Sequence, residues 1–251
     1  MAARSDGLTN SPTDRNIANY DTPWSAEEYT REGGLRPIEA ALVAAYFPAP
    51  PARVLDLGCG AGRTTMGLAD LGYEVVAIDL SDRLLALARQ RRPDLDFRKM
   101  DATRLELPDV DFDAALFSYN GIDCIGPVGE RLRCMREVHR VLRPAAPFVL
   151  SSHNIVGTIF SGGFFYLRGY WNAAKLLASQ LTNPAALKWY FLYQDGGGPQ
   201  RLYSAPPGRT VRQLQDVGFR VEDVCGVTGE RSPQRVLFHQ MHVHFAARKA
   251  P

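Results

Sequence analysis

A strand that runs directly into a glycine-punctuated turn and out into a helix leaves few architectures open, and Val54-Leu55-Asp56-Leu57-Gly58-Cys59-Gly60-Ala61-Gly62-Arg63-Thr64-Thr65 has that pattern. Gly58, Gly60 and Gly62 remove Cβ atoms where the backbone turns sharply and a ligand can approach the main chain. The helix that follows offers N–H groups with no partner of their own. The next apolar run, Glu74-Val75-Val76-Ala77-Ile78, closes on Asp79, whose carboxylate can accept two hydrogen bonds from a ribose diol. A glycine turn alone says little, because many strand-to-helix connections need a positive φ. Two cofactor chemistries compete for the combination. A dinucleotide asks for G-x-G-x-x-G facing a pyrophosphate, whereas this loop is spaced differently and has an acid, Asp56, just before it. The acid opposes a pyrophosphate and suits a cofactor carrying an ammonium and a sulfonium.

Asp56-Leu57-Gly58-Cys59-Gly60-Ala61-Gly62 resembles the first motif of the class I S-adenosylmethionine (SAM)-dependent methyltransferases. Ile78-Asp79-Leu80-Ser81 is similar to that family's ribose-binding segment, and Met100-Asp101-Ala102 to the segment that reads adenine. The resemblance covers about residues 50–154 well and 207–248 loosely. It implies a Rossmann-like α/β fold with a seven-stranded, mostly parallel sheet, helices on both faces, and SAM as cofactor. By the same resemblance, Asp56 and the Gly58 backbone hold the methionine end, Cys59, Gly60 and Gly62 complete the turn, and Asp79 anchors the ribose beside Leu80. Asp101 receives the adenine amino group while the Ala102 amide meets the ring. Each acid taken singly reads as an ordinary capping residue; their joint register carries the assignment.

Short apolar runs near residues 53–57, 74–78, 95–99, 112–118 and 147–152 alternate with helical patterns near 62–71, 81–91 and 129–142, which predicts a parallel sheet wrapped on both faces. An apolar helix, Ile38–Phe47, precedes the first strand. Thr210–Val217 reads as a further helix, and strands near 219–225 and 235–246 as an antiparallel end. Residues 1–16 are polar and read as a disordered tail; 17–251 form a single domain with a cap insertion at about 155–206. The 29 basic and 27 acidic residues are spread without long runs, so no electrostatic footprint for nucleic acid is visible. Four scattered cysteines fit neither a disulfide framework nor a metal site. With no apolar leader and no membrane-length uncharged stretch, the expectation is a soluble cytoplasmic protein without stable membrane insertion.

Residues 155–193 hold ten of the chain's 25 aromatic residues and no Asp or Glu. Aromatic walls with few polar groups suit a pocket for an apolar small molecule, so the segment reads as a substrate cap. Its aromatics can equally pack the insertion onto the domain, or form a patch for dimerisation or membrane association. Phe160 and Phe164 of the insertion, with Tyr20, Trp24 and Tyr29 ahead of the domain, are the aromatic candidates for contact with the methyl acceptor.

Methyl transfer is an in-line displacement at an activated carbon, so alignment in a dry site matters most and a base is optional. The fourth strand ends in Phe117-Ser118-Tyr119-Asn120-Gly121-Ile122-Asp123-Cys124, and ligands in open α/β sheets bind outside such strand ends. Ser118 and Asn120 are therefore cofactor candidates, Asn120 also a substrate candidate, and Tyr119 a catalytic one. This stretch departs from the Asn/Asp-Pro-Pro-Tyr/Phe motif of amino-methyltransferases acting on nucleic-acid bases or protein glutamine. His153, followed by Asn154 at the end of the fifth strand, is the best-placed base near neutral pH, against the plainer reading of a hydrogen-bonded strand-end histidine. Asn154 joins it as a substrate contact. His242 and His244 share a strand face, but no acid or cysteine accompanies them nearby, so no metal is expected. The leading reading is methyl transfer to O or N of a small apolar or aromatic molecule, such as a secondary metabolite. A SAM-binding regulatory or scaffold protein and an NAD-dependent oxidoreductase are the alternatives.

Overall fold

In the computed structural model, which describes residues 12–31, 33–160 and 167–250, the apolar runs become the middle of one sheet. β1 (Arg53–Leu57) and β4 (Ala114–Phe117) are buried along nearly their whole length, as central parallel strands must be. β2 (Glu74–Asp79) and β3 (Asp96–Lys99) lie to one side of β1, while β5 (Pro147–His153) lies beyond β4. A two-stranded hairpin, β6 (Tyr190–Asp195) and β7 (Gly198–Tyr203), stands apart from this sheet. β8 (Phe219–Gly226) and β9 (His242–Lys249) complete the main sheet antiparallel, giving the order β3-β2-β1-β4-β5-β9-β8. The seven-stranded, mostly parallel expectation holds. The strand order reverses between β1 and β4, and their carboxyl ends open a crevice there.

Helices cover both faces. α3 (Pro37–Tyr46) and α4 (Arg63–Asp70) place Ile38, Leu42, Val43 and Leu68 against Val54, Leu116 and Val149. α6 (Val128–Val141) and α9 (Pro207–Val217) bring Met135, Val138 and Leu214 onto the opposite face, with Leu55, Phe148 and Phe245. α5 (Asp82–Arg91) follows β2 and buries Leu85 and Ala88 with Phe97.

Three elements differ from the sequence-based expectation. α1 (Pro12–Tyr20) begins inside the stretch read as a disordered tail, because the buried Asn16 amide ties it down. Asn16 Nδ2 donates to Cys124 O and Arg201 O, and the Arg201 N–H donates back to Asn16 Oδ1. Residues 233–239, expected to begin a strand at 235, form α10 (Pro233–His239), with Pro233 at a first helical position, where a missing N–H is harmless. The insertion contains α7 (Ile155–Phe160), α8 (Leu167–Leu181) and the unpredicted hairpin, whose turn packs on α2 (Pro23–Glu28). The Trp24 ring leaves no room for a Cβ at Gly196, and Asn19 Nδ2 donates to Pro199 O at 2.7 Å.

Candidate functional site

Two cavities open above the carboxyl ends of β1, β2, β4 and β5. The first, about 430 Å³, is lined by Gly58, Cys59, Gly60, Asp79, Leu80, Asp101, Ala102 and Ser118, eight of the eleven positions expected to hold the cofactor. Gly58 and Gly60 adopt φ +63° and +54°, and a Cβ on Gly58 would stand 2.7 Å from the Phe117 ring. Only glycine fits that bend.

Asp79 shows whether the residues suit a ribose. The Gly60 N–H donates to Oδ2 and the Ser81 N–H to Oδ1, each at 2.8 Å, which pins the glycine turn to the strand end. The Leu80 N–H also stabilises this carboxylate, and the lone-pair capacity left on the cavity wall can accept from the hydroxyls of a diol. Burial raises the Asp79 pKa against those stabilising amides, a cost that two further donors would offset. Asp101 accepts from the Thr103 N–H through Oδ1, leaving Oδ2 for an exocyclic amine. The cradle therefore fits SAM at the ribose and adenine ends.

The other three cofactor positions lie elsewhere. Asp56 sits behind the turn, where its Oδ2 accepts from Thr64 Oγ1 at 2.7 Å and Thr65 Oγ1 at 2.6 Å. Burial pushes its pKa up to about 6, and it does not reach the cavity wall. Gly62 caps α4 at φ +84°, with Met66 and Phe97 each 3.0 Å from where a Cβ would stand, so packing rather than ligand contact requires it. Asn120 faces the second cavity.

That second cavity, about 830 Å³, is lined by Tyr20, Trp24, Tyr29, Tyr119, Asn120 and His153 among the expected acceptor and catalytic residues. It shares Tyr20, Glu28, Tyr29, Arg36, Tyr119 and Cys124 with the first, so the two spaces meet along one wall. The Arg36 guanidinium lies 4.3 Å over the Tyr119 ring. Asn154 is a structural residue: its Nδ2 donates to Val236 O, Leu237 O and Gln240 O, fastening β5 to α10. Phe160 turns away, edge-on to Phe238 and Tyr170. Phe164 lies outside the described residues. Within the described part of 155–193, no aromatic ring lines either cavity, although Tyr193 stacks 5.6 Å from His153. The elements that line the cavities from above are α1, α2 and, from the insertion, β7.

Two acids that sequence reasoning left without these roles organise the site. Glu39 of α3 is buried; burial would raise its pKa, but the forked Arg63 guanidinium at 2.7 and 2.8 Å, with Ser118, holds it below the usual carboxylate range. Asp123 is buried completely and accepts four hydrogen bonds. Arg131 Nη1 and Ser152 Oγ reach Oδ1, each at 2.7 Å, and the His153 N–H and Nδ1 reach Oδ2 at 2.6 and 2.7 Å. A carboxylate so saturated is an orienter and not a base.

His153 pairs in register with His242 across β5 and β9, their ring centroids 5.0 Å apart, and His244 follows on the same face. Burial, then the neighbouring His153, pushes His242 down to about 4; burial pushes His244 to about 4, with Glu39 opposing and Arg36 assisting. Between pH 6.5 and 4 the folded chain thus binds fewer protons than the unfolded one at both residues, and stability falls as pH drops. Asp56, raised from 3.8 to about 6, and Asp79, also raised by burial, work in the opposite direction, while Glu39, held low, adds to the loss. Thermal melts should show Tm falling from pH 7 to 4.5, more shallowly after His242→Asn with His244→Asn; an equal slope in the double variant would remove the assignment. Among the described residues no cluster suited to a metal occurs. No helix of the described residues is long and apolar enough to cross a membrane.

A family model described as a methyltransferase domain matches residues 54–145, from β1 to the loop before β5. The demethylmenaquinone methyltransferase of Renibacterium salmoninarum is 35% identical over 127 residues, covering 50% of this chain and 52% of that protein. The chain spans about half the length of the curated relatives it matches. Among solved structures, the CcbJ methyltransferase of Streptomyces caelestis superposes with TM-score 0.67 at 20% identity, covering 93% of this chain and 98% of that one. The [4+2]-cyclase SpnF superposes with TM-score 0.62 at 17% identity, covering 96% of each. One fold thus carries differently named reactions, and the site has to decide between them.

Proposed function

We propose that the chain, whose residues 54–145 match a methyltransferase domain model, is a class I SAM-dependent methyltransferase and that it transfers the SAM methyl group to a small, substantially apolar or aromatic acceptor in a reaction assisted by His153. One observation carries the reading: the nucleoside cradle of Asp79 and Asp101 shares a wall with a cavity presenting a histidine held by a buried carboxylate. When bound, the cofactor supplies a methyl carbon made electrophilic by the adjacent sulfonium. The chain does the rest. Asp79 and Asp101 fix the nucleoside, and Gly58 and Gly60 let the ligand approach the main chain. The aromatic wall of Tyr20, Tyr29 and Tyr119 excludes water. Asp123 keeps the His153 proton on Nδ1 and so keeps Nε2 available as an acceptor. The cavity's 830 Å³ suits a small organic acceptor. Calorimetric titration with SAM and with NAD tests the cofactor. Incubation with labelled SAM and a cell extract, followed by identification of the labelled product, tests the transfer. Tight NAD binding without SAM binding would favour an oxidoreductase, and SAM binding without any labelled product a regulatory protein.

The N-terminal cover should order over bound ligands. Asp21 accepts from Ser81 Oγ and its carbonyl accepts from Arg83 Nε at 2.8 Å, while Asn16 ties the other end of α1 to β7, so one strap spans both cavities. Hydrogen exchange at residues 12–28 is expected to slow several-fold when S-adenosylhomocysteine binds, and Asn16→Ala to abolish that slowing. Equal protection with and without ligand would make the strap static packing.

A further inference from the structure

We infer that His242 is a second catalytic residue, donating a hydrogen bond to the acceptor oxygen while His153 takes that oxygen's proton, and that this pairing selects hydroxyl over amine acceptors. The inference rests on the methyltransferase reading and adds a nucleophile class to it. The two imidazoles stand side by side on one cavity wall, yet their buried partners dictate opposite proton positions. The Asp123 carboxylate can only accept, so His153 carries its hydrogen on Nδ1 and presents a bare Nε2. The Asn120 amide nitrogen can only donate. Its Nδ2 lies 2.9 Å from His242 Nδ1, which must therefore accept, and the His242 hydrogen sits on Nε2. Burial keeps that ring neutral near pH 7, because its pKa falls to about 4. One ring thus offers a lone pair and its neighbour an N–H to whatever occupies the cavity.

A hydroxyl group complements the pair. Its proton is donated to His153 Nε2 and one oxygen lone pair accepts from His242 Nε2–H, leaving a second lone pair free to attack. As the O–H proton passes to His153, the oxygen–methyl bond forms and the sulfur–methyl bond breaks with its electron pair going to sulfur. The products are a methyl ether, the neutral thioether of the cofactor and an imidazolium at His153. The His242 donor meets the negative charge developing on oxygen, the place where a preorganised donor has most effect. A neutral amine has a single lone pair. If it accepts from His242 it cannot attack, and if it attacks, the His242 donor is left unpaired in a buried wall.

The experiment uses the whole chain and a matched pair of probes, 1-naphthol and 1-naphthylamine. With labelled SAM, wild type is expected to methylate the naphthol oxygen at least about tenfold faster than the amine, the ratio that one well-made hydrogen bond supplies in the transition state. His242→Phe should level the two rates, and His242→Gln, which retains a side-chain N–H, should keep much of the preference. In the S-adenosylhomocysteine complex, fluorescence titration should show naphthol bound roughly tenfold more weakly by His242→Phe than by wild type. Equal rates for the two probes, including methylation of neither, overturn the inference, as does a preference or a naphthol affinity that survives unchanged in His242→Phe. The underlying reading fails differently: wild type would then not bind SAM in calorimetry at all, whereas hydroxyl–amine parity with intact SAM binding sinks this inference alone.

Discussion

Replacing Asp79 with alanine is expected to weaken SAM and S-adenosylhomocysteine alike by at least ~100-fold, since two hydrogen bonds from a ribose diol to a charged acceptor are worth about 1.5–3 kcal/mol each. The loss should exceed the diol contacts alone. The Gly60 N–H and Ser81 N–H both end on this carboxylate, so the alanine variant also frees the glycine turn and the start of α5. Asp79→Asn separates the two contributions. One amide oxygen can still accept from a backbone N–H, but its NH2 group would face donors, so intermediate affinity is expected. Isothermal calorimetry with both ligands decides the matter. The demethylated product must lose as much as SAM, because the ribose is common to both; undiminished affinity for either would remove the ribose assignment.

The parts of this site that were legible in the sequence are those fixed by local geometry. Gly58 and Gly60 announce a turn that needs positive φ, and Asp79 ends the second strand, whereas Asp101, two residues past β3, is legible only through the resemblance to the adenine-reading segment. Asp56 belonged to the same motif but faces Thr64 and Thr65, because successive strand residues point to opposite faces and the motif's spelling does not say which face is wet. The decisive pairings are long-range. Glu39 meets Arg63 from another helix, and Asp123 meets His153 across 30 positions, contacts that no spacing rule encodes. Two misses did carry local signals. Gly196-Gly197-Gly198-Pro199 between aromatic runs is hairpin punctuation, and Ser232-Pro233 is a helix start. Asn16 could not be foreseen from its polar surroundings, since its burial depends on two backbone segments brought to it by the fold.

His153→Ala is expected to lower kcat by ~10²–10⁴, the usual contribution of a positioned general base, while SAM affinity stays nearly constant because the residue lies on the other cavity. The neighbouring acid sharpens the test. In Asp123→Asn the amide nitrogen can present an N–H to His153 Nδ1, driving the ring hydrogen onto Nε2 and removing the acceptor lone pair, so kcat should fall although the imidazole remains. That variant also leaves the fully buried Arg131 without its counter-charge, a loss of about 3–5 kcal/mol, and its Tm should drop accordingly. His153→Ala leaves the Arg131–Asp123 pair in place and should melt closer to wild type. A purely positioning histidine would behave otherwise: the alanine variant would raise the acceptor KM with kcat preserved, and His153→Gln would restore it. For a base, glutamine should not help, whereas added imidazole should recover part of the alanine variant's kcat. Unchanged kcat and KM in His153→Ala would leave Asp123 and Arg131 as a buried structural pair and move the search for the base to Tyr119.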